Sequence, residues 1–323
     1  MIVVRAYPRL HVGLVDLGNA TSRRYGGAGF MLDCLTVEVT IEAGSHAVRG
    51  LALLDRRSQA DVMEAIKRQR RAFPVKPTRI SIRCVPPQHI GLGSKTALIL
   101  AVLKACALSS QLQISSKHLQ MLSGRGGTSG VGIHGFFKGG FVIDAGHRSD
   151  LGTHFAPSAF QRGFEIPPLL SRITVPAGWR FALILPKGRR YSGAREMKFF
   201  RENTPVPKFE VKETMAILHH GIAPAVLEDD ISTLRIALRE MHRCGFKRRE
   251  LRGQAPPVRR LFDKLEKIPD CAVGLSSMGP LLYVVMKEPT EEVLDGLAAI
   301  VQKEGASLLG VCAGRNRGYE VLG

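Results

Sequence analysis

Apolar and β-branched positions alternate or run together over Ile2–Arg5, Thr36–Ile41, Arg79–Cys84 and Gly140–Asp144, which predicts strands in the first half of the chain. Helices interrupt them. A helical pattern through Arg68–Phe73 stops at Pro74, and Ala97–Leu108 is apolar on nearly all sides, as expected of a helix buried between layers.

Around residues 155–180 the chain turns Pro-rich and irregular ("APSAFQRGFEIPPLLSRITVPAG"), which predicts a domain junction and two domains, 1–172 and 173–323. Beyond it the pattern predicts strand Phe181–Leu185, helical segments over Val211–Ile268, strands Ala272–Leu275 and Leu281–Val285, helix Glu291–Gln302 and strand Ser307–Val311. That order, β-α-β-β-α-β, is the split ferredoxin-like arrangement. The expected fold class is therefore α+β. No internal repeat is evident.

Composition changes the picture in one respect. The 323 residues carry 46 Lys+Arg against 28 Asp+Glu, a net charge of +18, which favours polyanionic partners such as nucleotides, sugar phosphates or nucleic acid. The basic runs at Arg56–Arg71, Lys187–Arg190 and Lys247–Arg252 read as solvated helix faces. Aromatic residues are sparse and do not interleave with them, so no platform for stacking single-stranded nucleic acid is visible and no nucleic-acid partner is expected. The six cysteines form no C-x-x-C pair, which disfavours a zinc site and a disulfide framework. The longest apolar run is too short to cross a bilayer, and Met1–Val12 has no signal pattern; a cytoplasmic protein with no membrane partner is expected.

The chemistry concentrates in four glycine-dense stretches. The first, "PQHIGLGSKT" (Pro87–Thr96), joins a predicted strand to the buried helix, where backbone N–H groups attract anions. A tight turn with a Ser or Thr cap is the competing reading. The spacing is not that of a Walker loop or a dinucleotide fingerprint. The others are "RRYGGAGFMLD" (Arg23–Asp33), "RGGTSGVGIHGFFKGG" (Arg125–Gly140) and "VGLSSMGPLLY" (Val273–Tyr283). Glycine mixed with arginine or hydroxyls is the composition of loops that wrap phosphate. Two other features read as structural. Asp230 in "VLEDDISTL" marks a helix N-terminus, and the adjacent His219 and His220 point in different directions, which makes them poor joint metal ligands.

Pro87–Ser94 resembles the P-x-x-x-G-L-G-S-S motif of the GHMP kinase superfamily. That resemblance implies two domains, one like the second domain of ribosomal protein S5 and one ferredoxin-like. Kinase residues are missing, however. Lys95 stands where the kinases have a second serine that helps hold magnesium, and Ser129-Gly130-Val131-Gly132 replaces S-G-x-D and its carboxylate. The third motif is Gly274-Leu-Ser-Ser-Met-Gly279-Pro280 rather than a G-x-G-x-G run.

Those departures, with "PRLHVGLVDLG" (Pro8–Gly18) and the stretch Arg125–His147, resemble one branch of the superfamily, the beta-ribofuranosylaminobenzene 5'-phosphate synthases. In the last motif Leu275 stands where that branch would have glutamine. The resemblance implies a glycosyltransferase that joins phosphoribosyl pyrophosphate to 4-hydroxybenzoate or 4-aminobenzoate, releasing carbon dioxide and pyrophosphate, in tetrahydromethanopterin synthesis. Mg2+ carried on the diphosphate and no ATP requirement are expected with it; a homodimer is one candidate assembly, and the sequence leaves the oligomeric state open. On this reading Gly91, Gly93, Ser94, Lys95 and Thr96 bind the pyrophosphate or the 5'-phosphate, with Lys95 stabilising the departing diphosphate, while Arg24 and Arg125 complete the clamp. Asp16 becomes the candidate for a metal ligand or oxocarbenium partner, against the reading that it caps the turn at Gly18. His11 is assigned to the para hydroxyl proton or to orienting the benzoate, and Arg9 to the benzoate carboxylate. Gly26, Gly27, Thr128, Ser129, Gly130, Ser276 and Ser277 are the further binding candidates. Two alternatives stand beside this reading: an ATP-dependent small-molecule kinase, with Asp144 or Asp16 replacing the missing acid, and a basic RNA-binding module.

Overall fold

Asp55 starts the first long helix by accepting a hydrogen bond from Ser58 N, and the helix ends at Ala72, just before Pro74. It belongs to a computed structural model that describes residues 1–148, 154–160, 165–187 and 193–322. Gly188, Arg189 and Arg190 of the basic run expected at Lys187–Arg190 lie outside the described residues.

The first half contains β1 (Ile2–Ala6), β2 (Arg9–Asp16), β3 (Arg23–Met31), β4 (Val37–Ala43), β5 (Ala47–Arg49), α1 (Arg56–Ala72) and β6 (Thr78–Cys84). It continues with α2 (Ser94–Ser109), α3 (Ser116–Ser123), α4 (Val131–Lys138), β7 (Phe141–Asp144), β8 (His147–Arg148) and β9 (Leu169–Ile173). Two sheets result. One runs β1-β4-β6-β5, and the other β2-β3-β7-β9 with β8 also paired to β3. The largely apolar α2 lies against β1 and β4 and is covered by α1, α3 and α4, so the expectation of a buried helix over Ala97–Leu108 holds.

Two glycine-dense stretches expected as phosphate-wrapping loops are regular structure instead. Arg23–Met31 is the central strand β3, and Val131–Lys138 is a helix. Crowding explains the glycines. A Cβ on Gly29 would lie 2.1 Å from Leu10 O, and one on Gly135 would lie 2.2 Å from Met31 Sδ. They serve close packing of backbone against neighbours.

The second half contains β10 (Trp179–Leu185), α5 (Ala194–Asn203), α6 (Lys208–Ile217), a π-helical turn and α7 (Ala223–Leu227). Then come α8 (Ile231–Arg243), α9 (Gly245–Arg252), α10 (Pro256–Leu265), β11 (Cys271–Leu275), β12 (Leu282–Lys287), α11 (Glu291–Lys303) and β13 (Ser307–Ala313). The sheet order β11-β12-β10-β13, antiparallel throughout, is the ferredoxin-like order expected from the sequence. A last strand, β14 (Glu320–Leu322), returns to pair with β1, with Val3 opposite Leu322.

One apolar core joins the halves. Phe30 of β3 lies 4.5 Å from Phe141 and 5.2 Å from Phe181, ring centre to ring centre, in a cluster that also contains Leu10, Trp179 and Tyr283. Burial of this shared core fixes β2 against the loop between β11 and β12. Among the described residues no helix is long and apolar enough to cross a membrane.

Candidate active site

The glycine loop after β6 takes a shape that side chains oppose. Gly91 has φ +111° and Gly93 φ +66°, and a Cβ on Gly91 would fall 2.3 Å from Ser276 O. Gly93 is the N-cap of α2, and no side chain caps it. The competing Ser or Thr cap is therefore absent, and the first amides of a 16-residue helix open toward the loop.

Ser276 ties this loop to both halves of the molecule. Its Oγ donates to Gly91 O (2.7 Å) and accepts from His11 N (3.0 Å), while Leu281 N donates to Ile90 O (3.2 Å). Arg9 reaches across the same joint, its Nη1 donating to Gly91 O and its backbone N to Leu92 O.

Two adjoining cavities open here. One, of about 150 Å³, is walled by Gly91, Gly93, Ser94 and Lys95; the other, of about 140 Å³, by His11, Leu14, Thr128, Ser129, Phe200 and Glu250. Arg9, Thr96, Arg125, Glu196, Ser277 and Met278 border both. Most of the expected site residues thus converge, although they come from β2, α2, the segment before α4 and the β11–β12 loop.

Asp16, Arg24, Gly26, Gly27, Gly130 and Ser276 line neither cavity. Asp16 Oδ1 accepts from Gly18 N and Ala20 N, and Oδ2 from Ala20 N, Thr21 N and Thr21 Oγ1, so both oxygens are spent on the turn between β2 and β3. The turn-capping reading describes it. Arg24 is buried with its guanidinium 4.3 Å from the Phe155 ring and donates to His154 O, away from the expected clamp. Gly27 has an indirect role: a Cβ there would sit 2.8 Å from both His11 Nε2 and Ser129 Oγ. Asp144, the other candidate acid, accepts from Ser129 Oγ, Gly130 N and Gly146 N; burial pushes its carboxyl up to about 6.

The electrostatics favour an anion. Burial lowers the Arg9 guanidinium to about 10, helped by the charge of Arg125, and burial also lowers Arg125. Their hydrogen-bond partners are neutral: Gly91 O for Arg9 and Thr96 Oγ1 for Arg125 (3.2 Å). Half-buried cations whose hydrogen bonds go to neutral groups retain attraction for an anionic ligand. Lys95 also faces the first cavity, but its Nζ is already paired with Asp61 Oδ2 of α1.

His11 is a different case. Burial, then the charges of Arg9 and Lys247, hold its imidazole well below 6.5, which makes it a poor proton acceptor near neutral pH. Glu196 shifts the other way. Burial raises its carboxyl to about 7 against the opposing pull of Arg125, Arg57 and Lys95.

Asp61, Glu196, Phe200, Glu250 and Met278 were not singled out from the sequence. The run Lys247–Arg252, read as a solvated face, is in part turned inward: Lys247 and Glu250 are 1% and 3% exposed. The i, i+3 spacing of Lys247 and Glu250 was the available signal. The sequence readings of Asp230 and the histidine pair hold, with Asp230 capping α8 and His219 and His220 exposed.

Among the described residues no three His, Cys, Asp or Glu side chains gather to hold a metal. A magnesium ion fits this donor set only as one carried mainly by phosphate oxygens, with Glu196 as the cavity carboxylate on the border of both cavities.

No protein-family model matches the chain. Its fold is similar to that of homoserine kinase from Cytophaga hutchinsonii, a GHMP kinase, with TM-score 0.70 at 15% identity over 99% of this chain and 97% of that one. In sequence it is similar to beta-ribofuranosylphenol 5'-phosphate synthases: 28% identical to that of Archaeoglobus fulgidus over 99% of both chains, and 33% identical to that of Methanothermobacter thermautotrophicus over 98% of this chain and 97% of that one. Identity of this extent, over a site assembled from both halves of a GHMP-type fold, places the chain in the beta-ribofuranosylphenol 5'-phosphate synthase family of transferases.

Proposed function

We propose that the protein joins the anomeric carbon of phosphoribosyl pyrophosphate to the carboxyl-bearing ring carbon of 4-hydroxybenzoate, releasing carbon dioxide and pyrophosphate. The observation that carries this reading is the pair of half-buried guanidinium groups, Arg9 and Arg125, hydrogen-bonded among the described residues only to neutral groups at the border of two cavities. One cavity offers amides and a lysine; the other offers Leu14, Ile133 and Phe200 beside Thr128, Ser129 and Glu250. A diphosphate suits the first and a flat carboxylated ring the second. The word phenol in the names of the relatives favours a para hydroxyl over an amine.

The open N-terminus of α2 and Lys95 would take up negative charge as the diphosphate departs. Arg9 and Arg125 would hold the acceptor carboxylate beside the anomeric carbon until it leaves. Mg2+, where bound, would neutralise diphosphate oxygens, with Glu196 as its protein ligand. The kinase alternative needs an acid near the acceptor, and Asp16 and Asp144 spend their oxygens on backbone and hydroxyl donors.

The test uses carboxyl-labelled 4-hydroxybenzoate, phosphoribosyl pyrophosphate and Mg2+, with and without ATP. Labelled carbon dioxide and pyrophosphate should appear in equal amounts without ATP. Release only with ATP, or none, would overturn the proposal.

A further inference from the structure

Glu250 is a buried carboxylate that the reaction outlined so far leaves unused. It lies on α9, lines the cavity that also holds His11, Leu14, Thr128 and Phe200, and is absent from the lining of the glycine-loop cavity. Its Oε2 is 2.5 Å from Lys247 Nζ, and the same ammonium donates to Leu275 O at 3.1 Å. Lys247 is itself 1% exposed and packs beside Gly13 of β2. The second carboxylate oxygen, Oε1, accepts no hydrogen bond from the described residues. The buried Oε2 has that ion pair but no hydrogen bond among them, and a buried carboxylate so short of donors on a cavity wall is suited to receive one.

We infer that Glu250, held by Lys247, accepts a hydrogen bond from the para O–H of the aromatic acceptor and so fixes which benzoates react. The inference rests on the reaction proposed above and deepens it. Geometry orders the substrate. The guanidinium groups of Arg9 and Arg125 border both cavities, whereas Glu250 belongs to only one. In the proposed pose the ring carboxylate meets those guanidiniums and the para substituent lies in the cavity that Glu250 lines. The same pose sets the carboxyl-bearing carbon next to the diphosphate half, where the anomeric carbon must lie.

The chemistry gives Glu250 a task. A ring π pair forms the new C–C bond as the C–O bond to diphosphate breaks and its electron pair leaves on the diphosphate. The positive charge left on the ring is shared by the para oxygen, so its O–H becomes more acidic and its bond to Glu250 strengthens. The carbon-to-carboxylate bond then breaks, its pair returns to the ring and carbon dioxide departs. No net proton or external oxidant is needed. His11, kept neutral by its surroundings, cannot supply this anionic acceptor.

The test compares binding of 4-hydroxybenzoate, benzoate and 4-methoxybenzoate by calorimetry. The wild type should hold 4-hydroxybenzoate about tenfold more tightly than either analogue, the discrimination of a charge-assisted hydrogen bond. Two variants are compared, Glu250→Gln and the charge-neutral Lys247→Met/Glu250→Met, which leaves no buried charge unpaired. In both, that preference should shrink to about threefold or less and kcat should fall by about a hundredfold, while pyrophosphate binding persists. A wild type indifferent to the para O–H, or a pyrophosphate-binding variant that keeps the preference, would overturn the inference. A wild type that prefers 4-hydroxybenzoate yet releases no carbon dioxide would overturn the reaction and support the site.

Discussion

Lys95 Nζ lies 2.8 Å from Asp61 Oδ2, an ion pair between the first turn of α2 and the middle of α1, with the Lys95 side chain 13% exposed at the wall of the glycine-loop cavity. The ammonium thus reaches the cavity with a protein counter-ion beside it. A diphosphate arriving there competes with Asp61 for the same cation. Lys95→Ala should lower kcat by about a hundredfold if the ammonium acts on the departing charge. Asp61→Asn frees the ammonium and should tighten pyrophosphate binding severalfold. Calorimetry with pyrophosphate and steady-state kinetics measure both; weaker binding in Asp61→Asn would show that the pair positions Lys95 rather than competes for it.

Glu196 sets a pH dependence. Its carboxyl titrates near 7, raised from 4.5 by burial, so it is largely neutral below that pH and anionic above it. Ionisation places a negative charge beside Arg125 and Lys95, which opposes a metal-free anion. Raising the pH from 6 to 8 should weaken pyrophosphate binding by the wild type relative to Glu196→Gln by about tenfold, because about 1.4 kcal/mol of repulsion is expected at partly buried charge separations. A ratio that does not change with pH would remove Glu196 from the anion site. With Mg2+ present the sign should reverse, the variant binding more weakly.

The same group affects stability. Because the folded pKa lies above the unfolded one, the native state holds more protons between about 4.5 and 7, and stability falls as the pH rises through that window. Glu196→Gln should flatten this slope in urea melts at pH 5, 6 and 7. An unchanged slope would assign the titration elsewhere, with Asp144, raised to about 6, the next group to replace.

Gly27→Ala tests the crowding between β2 and α4. The new methyl would meet His11 Nε2 and Ser129 Oγ at 2.8 Å and the backbone Gly13 O at 3.1 Å; Ser129 Oγ is held by Asp144, and the strand backbone cannot retreat. A destabilisation of about 1–3 kcal/mol is expected. Gly296→Ala, with nothing within 4 Å of its Cβ, is the control and should not lose stability in thermal melts.

Asp16→Asn separates turn-building from metal binding. The carboxylate accepts five hydrogen bonds within the turn, and an amide nitrogen cannot accept its share of them. The midpoint of thermal unfolding should drop, while the Mg2+ concentration for half-maximal activity stays at the wild-type value. A rise in that concentration would restore Asp16 as a metal ligand.

The ferredoxin-like half was legible because its signals are local: strand runs, a helix beginning at Glu291, and punctuation such as Asp230 at the start of α8. The glycine loop was legible for the same reason, its residues being contiguous from Pro87 to Thr96. β3 was not, since a strand in which Gly26, Gly27 and Gly29 replace β-branched residues loses its pattern, and only its neighbours reveal why those glycines are needed.

The sequence by itself determined the order of elements in the ferredoxin-like half, the buried helix behind the anion loop and the departure from a kinase at Lys95 and Val131–Gly132. Tertiary structure alone decided which charges face the cavity. Asp16 and Arg24 have the residue types of a site and turn to neighbouring backbone and rings, whereas Glu250 and Lys247 sit in a basic run and turn inward. The direction of a side chain depends on partners far along the chain, such as the 28 positions between Lys247 and Leu275 O or the 265 between His11 N and Ser276 Oγ. Folding selects those partners by burial and hydrogen bonding, and no local pattern records the choice.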